Sequence, residues 1–222
     1  MAVILHIDTA ATVATVSIAM SGIVQGVVEN KLVNEHASFI QPAIQQLLDN
    51  TNLALKDVDA IAVAIGPGSY TGLRVGLASA KGLSYALNKP LITIGTLPMM
   101  AHAAAEKEKN PDILYAPMID ARRMEVFTSV FDSTGKVELP AIAKILTNDS
   151  FVALLLHRRI LFFGTGAKKF QTICNHINAL FSSDYNTVQS FAHLSFEAFT
   201  LQQFAELAYA EPLYLKEFYT GA

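Results

Sequence analysis

The stretch GPGSYTGLRVGLASAKGLSYAL, residues 66–87, decides the fold, and it follows an apolar run at 58–65. That run is short and rich in Ile and Val, as suits a strand buried on both faces, so the order predicted is strand, glycine turn, helix. Gly66, Gly68 and Gly72 stand where backbone amides and a helix N-terminus can receive an anion. The spacing G-x-G-x-x-x-G is one residue too long for the dinucleotide fingerprint, and no G-K-[ST] follows for a P-loop. A structural role explains the same residues: Gly66-Pro67-Gly68 makes the turn, Ser69 caps the helix, and Gly72 allows close packing. Gly72, Gly76, Ala80 and Ser84 fall four apart, a seam of small residues that lets another backbone approach closely. That backbone is either the chain's own sheet or a partner helix.

Working outward, residues 2–7, 13–20 and 23–28 read as three strands, the last two joined by a Ser21-Gly22 turn. Residues 38–49 carry Ile40, Ile44, Leu47 and Leu48 at helical spacing. Beyond the quoted stretch, 90–94 reads as a strand and 96–109 as a helix stopped by Asn110-Pro111. The opening pattern then recurs. The run at 113–119 ends in Asp120 as the run at 3–7 ends in Asp8, and each is followed by a strand and a glycine turn, with Gly22 fourteen residues after Asp8 and Gly135 fifteen after Asp120. A true duplication predicts an α/β protein of two related lobes facing each other across a cleft; chance recurrence is the alternative. The remainder offers a helix at 148–157, a strand at 160–163, a Gly164-Thr165-Gly166 turn, and helices at 168–180 and 194–210.

Composition narrows the function classes. The 222 residues are only 16% charged, with mean hydropathy +0.36. Such a value reflects either apolar surface covered by a partner or a core rich in Ala, Val and Ile. The net charge of -3 and the lack of basic runs longer than Arg122-Arg123 and Lys168-Lys169 argue against a strong autonomous grip on phosphate backbones. Cys174, the single cysteine, has no intrachain partner and fits a reducing cytoplasm. The start MAVILHIDTA has no basic n-region, and no stretch approaches the ~18 apolar residues of a spanning helix, so a soluble cytoplasmic protein is expected. Ser69 sits in G-S-Y-T-G rather than in a G-x-S-x-G elbow, which argues against a serine nucleophile.

The run at 66–87, with IDTA at 7–10 and AEPLYL at 210–215, resembles the TsaB proteins, and so do NEHASFIQPAIQQLL at 34–48 and MIDARRMEVF at 118–127. The likeness runs through nearly the whole chain in the same order. It implies a two-lobed actin-like, ribonuclease H-like fold related to nucleotide-binding ATPases, with an N-terminal lobe over 1–102 and a smaller C-terminal lobe over 103–222 whose last helix can pack back on the first. It also implies a part in making threonylcarbamoyladenosine beside the anticodon of tRNAs that read codons beginning with A. The transfer would belong to the larger relative TsaD, which holds a metal partly through H-x-x-x-H. Aligned from Gly95, this chain reads GTLPMMAH, so Pro98 takes the first ligand position and only His102 remains. One imidazole cannot build a catalytic site of three or four ligands, so no metal and no cofactor of its own is expected.

In the actin-like fold, carboxylates ending the first strand of each lobe can order a magnesium ion. Asp8, with Thr9 beside it, and Asp120 are then the nucleotide-site candidates, functional or vestigial. The resemblance points instead to a non-catalytic subunit whose helices 38–49 and 69–87 dock on TsaD through Ile40, Ile44, Leu47, Gly76, Ala80 and Leu83. TsaE would join within the complex, tRNA would be reached indirectly, and the chain alone could form a homodimer. A nucleotide at the surface shared with TsaD stays open. The competing reading is a small actin-fold ATPase or sugar-kinase-like phosphotransferase acting through Asp8 and Asp120.

Overall fold

A computed structural model describes residues 1–30 and 36–216, so Asn34 and Glu35 of the stretch at 34–48 lie outside the described residues. The chain divides into two units. One comprises residues 1–96 and 187–213, the other residues 97–186 and 214–222. The division thus falls at Thr96, six residues before the expected 102.

The first unit opens with β1 (Val3–Asp8), β2 (Ala14–Met20) and β3 (Ile23–Asn30), an antiparallel meander in which Asp8 pairs with Thr15 and Val3 with Met20. Helix α1 (His36–Thr51) then leads to β4 (Ala60–Gly66), which lies parallel to β1. Helix α2 (Tyr70–Leu87) returns the chain to β5 (Leu91–Gly95), parallel to β4, and the sheet order is β3-β2-β1-β4-β5. Central strands β1 and β4 are buried almost throughout, which is why they read as unbroken apolar runs. The apolar stripe of α1, Ile40, Ala43, Ile44, Leu47 and Leu48, joins Leu5, Ile7, Ile18, Val63 and Leu77 in one core.

The second unit repeats the plan. Helix α3 (Thr96–Glu108) precedes β6 (Ile113–Asp120), β7 (Glu125–Phe131) and β8 (Val137–Ile145), again an antiparallel meander. A short helix α4 (Val152–Leu155), β9 (Arg159–Phe163), another short helix α5 (Ala167–Gln171) and β10 (Ala179–Phe181) follow, with β9 parallel to both β6 and β10. The order β10-β9-β6-β7-β8 reproduces the first sheet strand for strand. Asp8 and Asp120 therefore end equivalent strands, and the recurrence read in the sequence is a real duplication. The last helix, α6 (Val188–Thr200), belongs to the first unit, where Gln189 Nε2 donates to Gly22 O at 2.7 Å.

Three expected helices are shorter than their apolar spacing suggested. The one at 148–157 is the single turn α4, the one at 168–180 stops at Gln171 and gives way to β10, and the one at 194–210 is α6, ending at Thr200. Gln202 adopts φ 55, which breaks the last helix, and Ala205 N donates to Leu91 O at 2.8 Å along the free edge of β5. Leu213 N then donates to Ile65 O at 2.7 Å. Pro140 interrupts the strand pattern of β8 in the sequence; as the edge strand it tolerates a residue without an N–H.

Candidate functional site

The glycine turn closes on its own chain. Ser69 caps α2, its Oγ accepting from Gly72 N at 3.2 Å, while Ser69 N donates to Ala10 O at 2.7 Å and Leu73 N to Ser69 O at 2.8 Å. The Thr9 hydroxyl, fully buried, donates to Gly72 O at 2.7 Å. A β-carbon on Gly68 would strike Ala10 O, one on Gly72 would strike Thr9 O, and one on Gly76 would strike Thr9 Oγ1. Gly66 has φ 106, and a β-carbon there would meet Leu73 Cδ1 at 2.8 Å. Thr9 and Ala10 thus pack directly against the turn and the first residues of α2, and the amides of Ser69 and Gly72 are bonded within the chain. Thr9 here locks a strand end to a helix.

The two duplicated aspartates have opposite electrostatics. Asp8 Oδ1 accepts from Ala10 N at 2.9 Å, and the residue is half-buried. Burial pushes its carboxyl up from the usual range; the Ala10 hydrogen bond and the nearby His36 imidazole oppose that without cancelling it. Asp120 is instead held below the usual range, first by its hydrogen bond to Lys169 at 2.7 Å and also by Arg122 N at 2.6 Å and the lysine's charge. One oxygen of Asp120 thus serves both Lys169 and the turn after β6. Lys169 lies 49 residues from Asp120 in sequence, so spacing carried no sign of this pairing. Asp8 and Asp120 belong to different units.

The sign of the Asp8 shift gives a prediction. A carboxyl raised in the fold binds its proton more tightly there than in the unfolded chain, so at neutral pH the charged form costs stability, and the cost vanishes as pH falls below the unfolded value of 3.8. Asp8→Asn is expected to raise the melting temperature at pH 7, with a gain that shrinks toward pH 4. A melting temperature below that of the parent chain at pH 7 would contradict this origin of the strain.

Among the described residues no three His, Cys, Asp or Glu side chains gather as a metal cage. Pro98 is exposed and His102 half-buried on α3, His6 is fully buried in β1, and Cys174 is half-buried. Among the described residues no helix is long and apolar enough to cross a membrane.

The six residues expected at a partner surface are mostly spent internally. Ile40, Ile44, Leu47, Gly76 and Ala80 are buried in the first unit's own core or against Thr9, and Leu83 is partly buried on the same core. The seam Gly72, Gly76, Ala80 and Ser84 is the inner face of α2. The same spacing marks a second small-residue seam on α2: Ala78, Gly82 and Ala86 also fall four apart, all are exposed, and Tyr85 beside them is 81% exposed. A β-carbon on Gly82 would meet nothing within 4 Å. The spacing signal was identical to that of the inner seam; only the packing tells the two apart.

A model of the family described as "TsaD: tRNA N6-adenosine threonylcarbamoyltransferase" matches residues 9–210. The chain belongs to this family. Within it, the chain is similar to the tRNA threonylcarbamoyladenosine biosynthesis protein TsaB of Haemophilus influenzae, 37% identical over 131 residues that make up 57% of this chain and 52% of the relative. The TsaB of Escherichia coli is 38% identical over 124 residues, 56% of this chain and 52% of the relative. The chain thus spans about half the length of the curated relatives it matches. Among solved structures, YeaZ from Pseudomonas aeruginosa is 25% identical with a TM-score of 0.78, over 97% of this chain and 100% of that one. The TsaB resemblance read from the sequence holds, and so does the actin-like α/β class.

Proposed function

We propose that this chain is a non-catalytic cytoplasmic subunit in the making of tRNA threonylcarbamoyladenosine, acting by docking on a TsaD-type catalytic relative. The names of the relatives support the pathway. The observation that carries the docking is the uncovered seam of Ala78, Gly82 and Ala86, with Tyr85 beside it. Small residues four apart let a second helix come close, and an exposed tyrosine gives contact area at low entropic cost. The proposed contact is therefore the outward face of α2 with the neighbouring exposed residues of α1, rather than Ile40, Ile44, Leu47, Gly76, Ala80 and Leu83. The same face serves a homodimer when TsaD is absent. TsaE joins, and tRNA is held, through the assembled complex, and a nucleotide at the shared surface is compatible with this arrangement.

The phosphotransferase alternative, through Asp8 and Asp120, has less support because Asp120 is tied to Lys169. Calorimetric titration with ATP and magnesium, followed by turnover assays on the parent chain and Asp8→Asn, separates the two readings; turnover lost in the variant would favour an enzyme.

Gly82→Lys tests the docking. Since its side chain enters open space, the variant is expected to fold normally and even gain roughly 0.5–1 kcal/mol of helix stability, while capture of TsaD falls more than about tenfold, as a buried charge at an interface requires. Threonylcarbamoyladenosine formation in a reconstituted reaction should fall with it. Unchanged capture by a folded variant would refute the docking face.

A further inference from the structure

The whole-chain charge of -3 conceals an uneven distribution. The residues that connect β6 to β7 include Arg122 and Arg123, both exposed, with φ 68 and 47. Left-handed backbone is disfavoured for a long side chain and relaxed for Gly or Asn, so this turn presents two arginines where local conformation alone would select neither. The turn is firmly built: Arg122 N donates to Asp120 Oδ1 at 2.6 Å, Glu125 N to Arg122 O at 3.1 Å, Ala121 N to Glu125 O at 3.1 Å, and Asp120 N to Thr165 Oγ1 at 3.0 Å.

The acidic groups that flank the turn are already neutralised. Asp120 pairs with Lys169 at 2.7 Å, and Glu125 with Lys216 at 2.6 Å. Among the described residues, neither Arg122 nor Arg123 has a carboxylate within ion-pair distance, and Lys168, the exposed neighbour of Lys169, has none either. Two ion pairs thus consume the local negative charge and leave two guanidinium groups and an ammonium facing water on a rigid support.

From this arrangement we infer that the Arg122-Arg123 turn, flanked by Lys168, is a contact for the phosphate backbone of RNA. Arginine's planar fork of donors suits phosphate oxygens, and phosphate contacts position a nucleic acid without reading its sequence. The choice of RNA over an acidic protein segment rests on the reading of the chain as a subunit of a tRNA-modifying assembly; the charge geometry is independent of it. The overall acidity that argues against autonomous binding is compatible with a local patch that adds to a grip supplied mainly by a partner.

The test uses the full chain, alone and in complex with TsaD, and the fluorescence anisotropy of a labelled, unmodified tRNA transcript over a salt series. The double variant Arg122→Asn, Arg123→Asn keeps residues that accept left-handed backbone. Arg158→Asn with Arg159→Asn is the control, removing equal charge from exposed positions at the start of β9, where Arg159 pairs with Ile113 at the opposite end of β6 from Asp120. The first variant is expected to bind tRNA about tenfold more weakly, with a log-log salt slope shallower by about 1.5 for two lost phosphate contacts, and the control to stay within about twofold. Equal losses in both variants, no loss in the first, or no tRNA binding by the parent chain or its complex would overturn the inference. So would a polyglutamate probe that loses binding to the first variant while tRNA does not, which would assign the turn to an acidic protein segment. Capture of TsaD is measured on the same proteins, so that failure of docking and failure of this contact are read separately.

Discussion

Gly72→Ala is expected to cost about 3 kcal/mol of folding stability, although alanine at an ordinary helix position gains roughly 0.5–1 kcal/mol over glycine. The reversal follows from what lies over the residue. An added β-carbon lands on the carbonyl oxygen of Thr9, which is backbone and cannot rotate aside. Nor can α2 lift away cheaply, because Ser69 N is bonded to Ala10 O at 2.7 Å and Thr9 Oγ1 to Gly72 O at 2.7 Å. Relief requires parting the helix from the end of β1 and giving up both hydrogen bonds, the Thr9 one buried, each worth about 1 kcal/mol net. Gly82→Ala, ten residues along the same helix and facing open space, is the internal control and should gain stability. Urea denaturation of the two variants beside the parent chain measures both signs. Parent-like stability in Gly72→Ala would mean that Thr9 and Ala10 do not fill the turn.

That contrast also marks the limit of what spacing conveys. The strand, turn and helix at 58–87 are legible because their cues are local: an apolar run, a glycine turn, a serine cap. The duplication is legible because a carboxylate ending an apolar run recurs at Asp120, and the repeated strand order confirms it. The two faces of α2 carry equally small residues, however, and nothing local says that Gly76 meets Thr9 while Gly82 meets solvent. Their difference is created by contacts between segments more than sixty residues apart. A contact across 49 residues likewise hid the role of Lys169 at Asp120, and the apolar residues beyond Thr200 read as helix although Ala205 is recruited by the edge of β5. In this chain, elements are encoded nearby and the faces they present are decided at a distance.

Acidification should expose the other costly residue. His6 stands in the middle of β1, 1% exposed, with Nε2 2.7 Å from Ser195 Oγ, Nδ1 3.4 Å from Ser17 O, and the ring 5.0 Å from Phe191 in an edge-on arrangement. Burial lowers its pKa from 6.5 to about 4, against a smaller opposing effect of the Ser17 carbonyl. Between those values the unfolded chain binds the proton and the folded chain does not, so stability falls as pH drops through that window and is unaffected above it. The loss amounts to about 2 kcal/mol by pH 5 and about 3 kcal/mol by pH 4. Other carboxylates contribute to acid unfolding as well, and the test is therefore a difference between two proteins. His6→Leu removes the titration while Ser195 Oγ keeps its bond to Ala192 O at 3.1 Å, so the variant leaves no hydroxyl stranded in the core. Its stability, followed by urea denaturation from pH 7 to pH 5, should decline by about 2 kcal/mol less than that of the parent chain. Parallel declines would mean that the imidazole takes up its proton as readily in the fold as in the unfolded chain, so that burial among apolar neighbours does not lower its pKa.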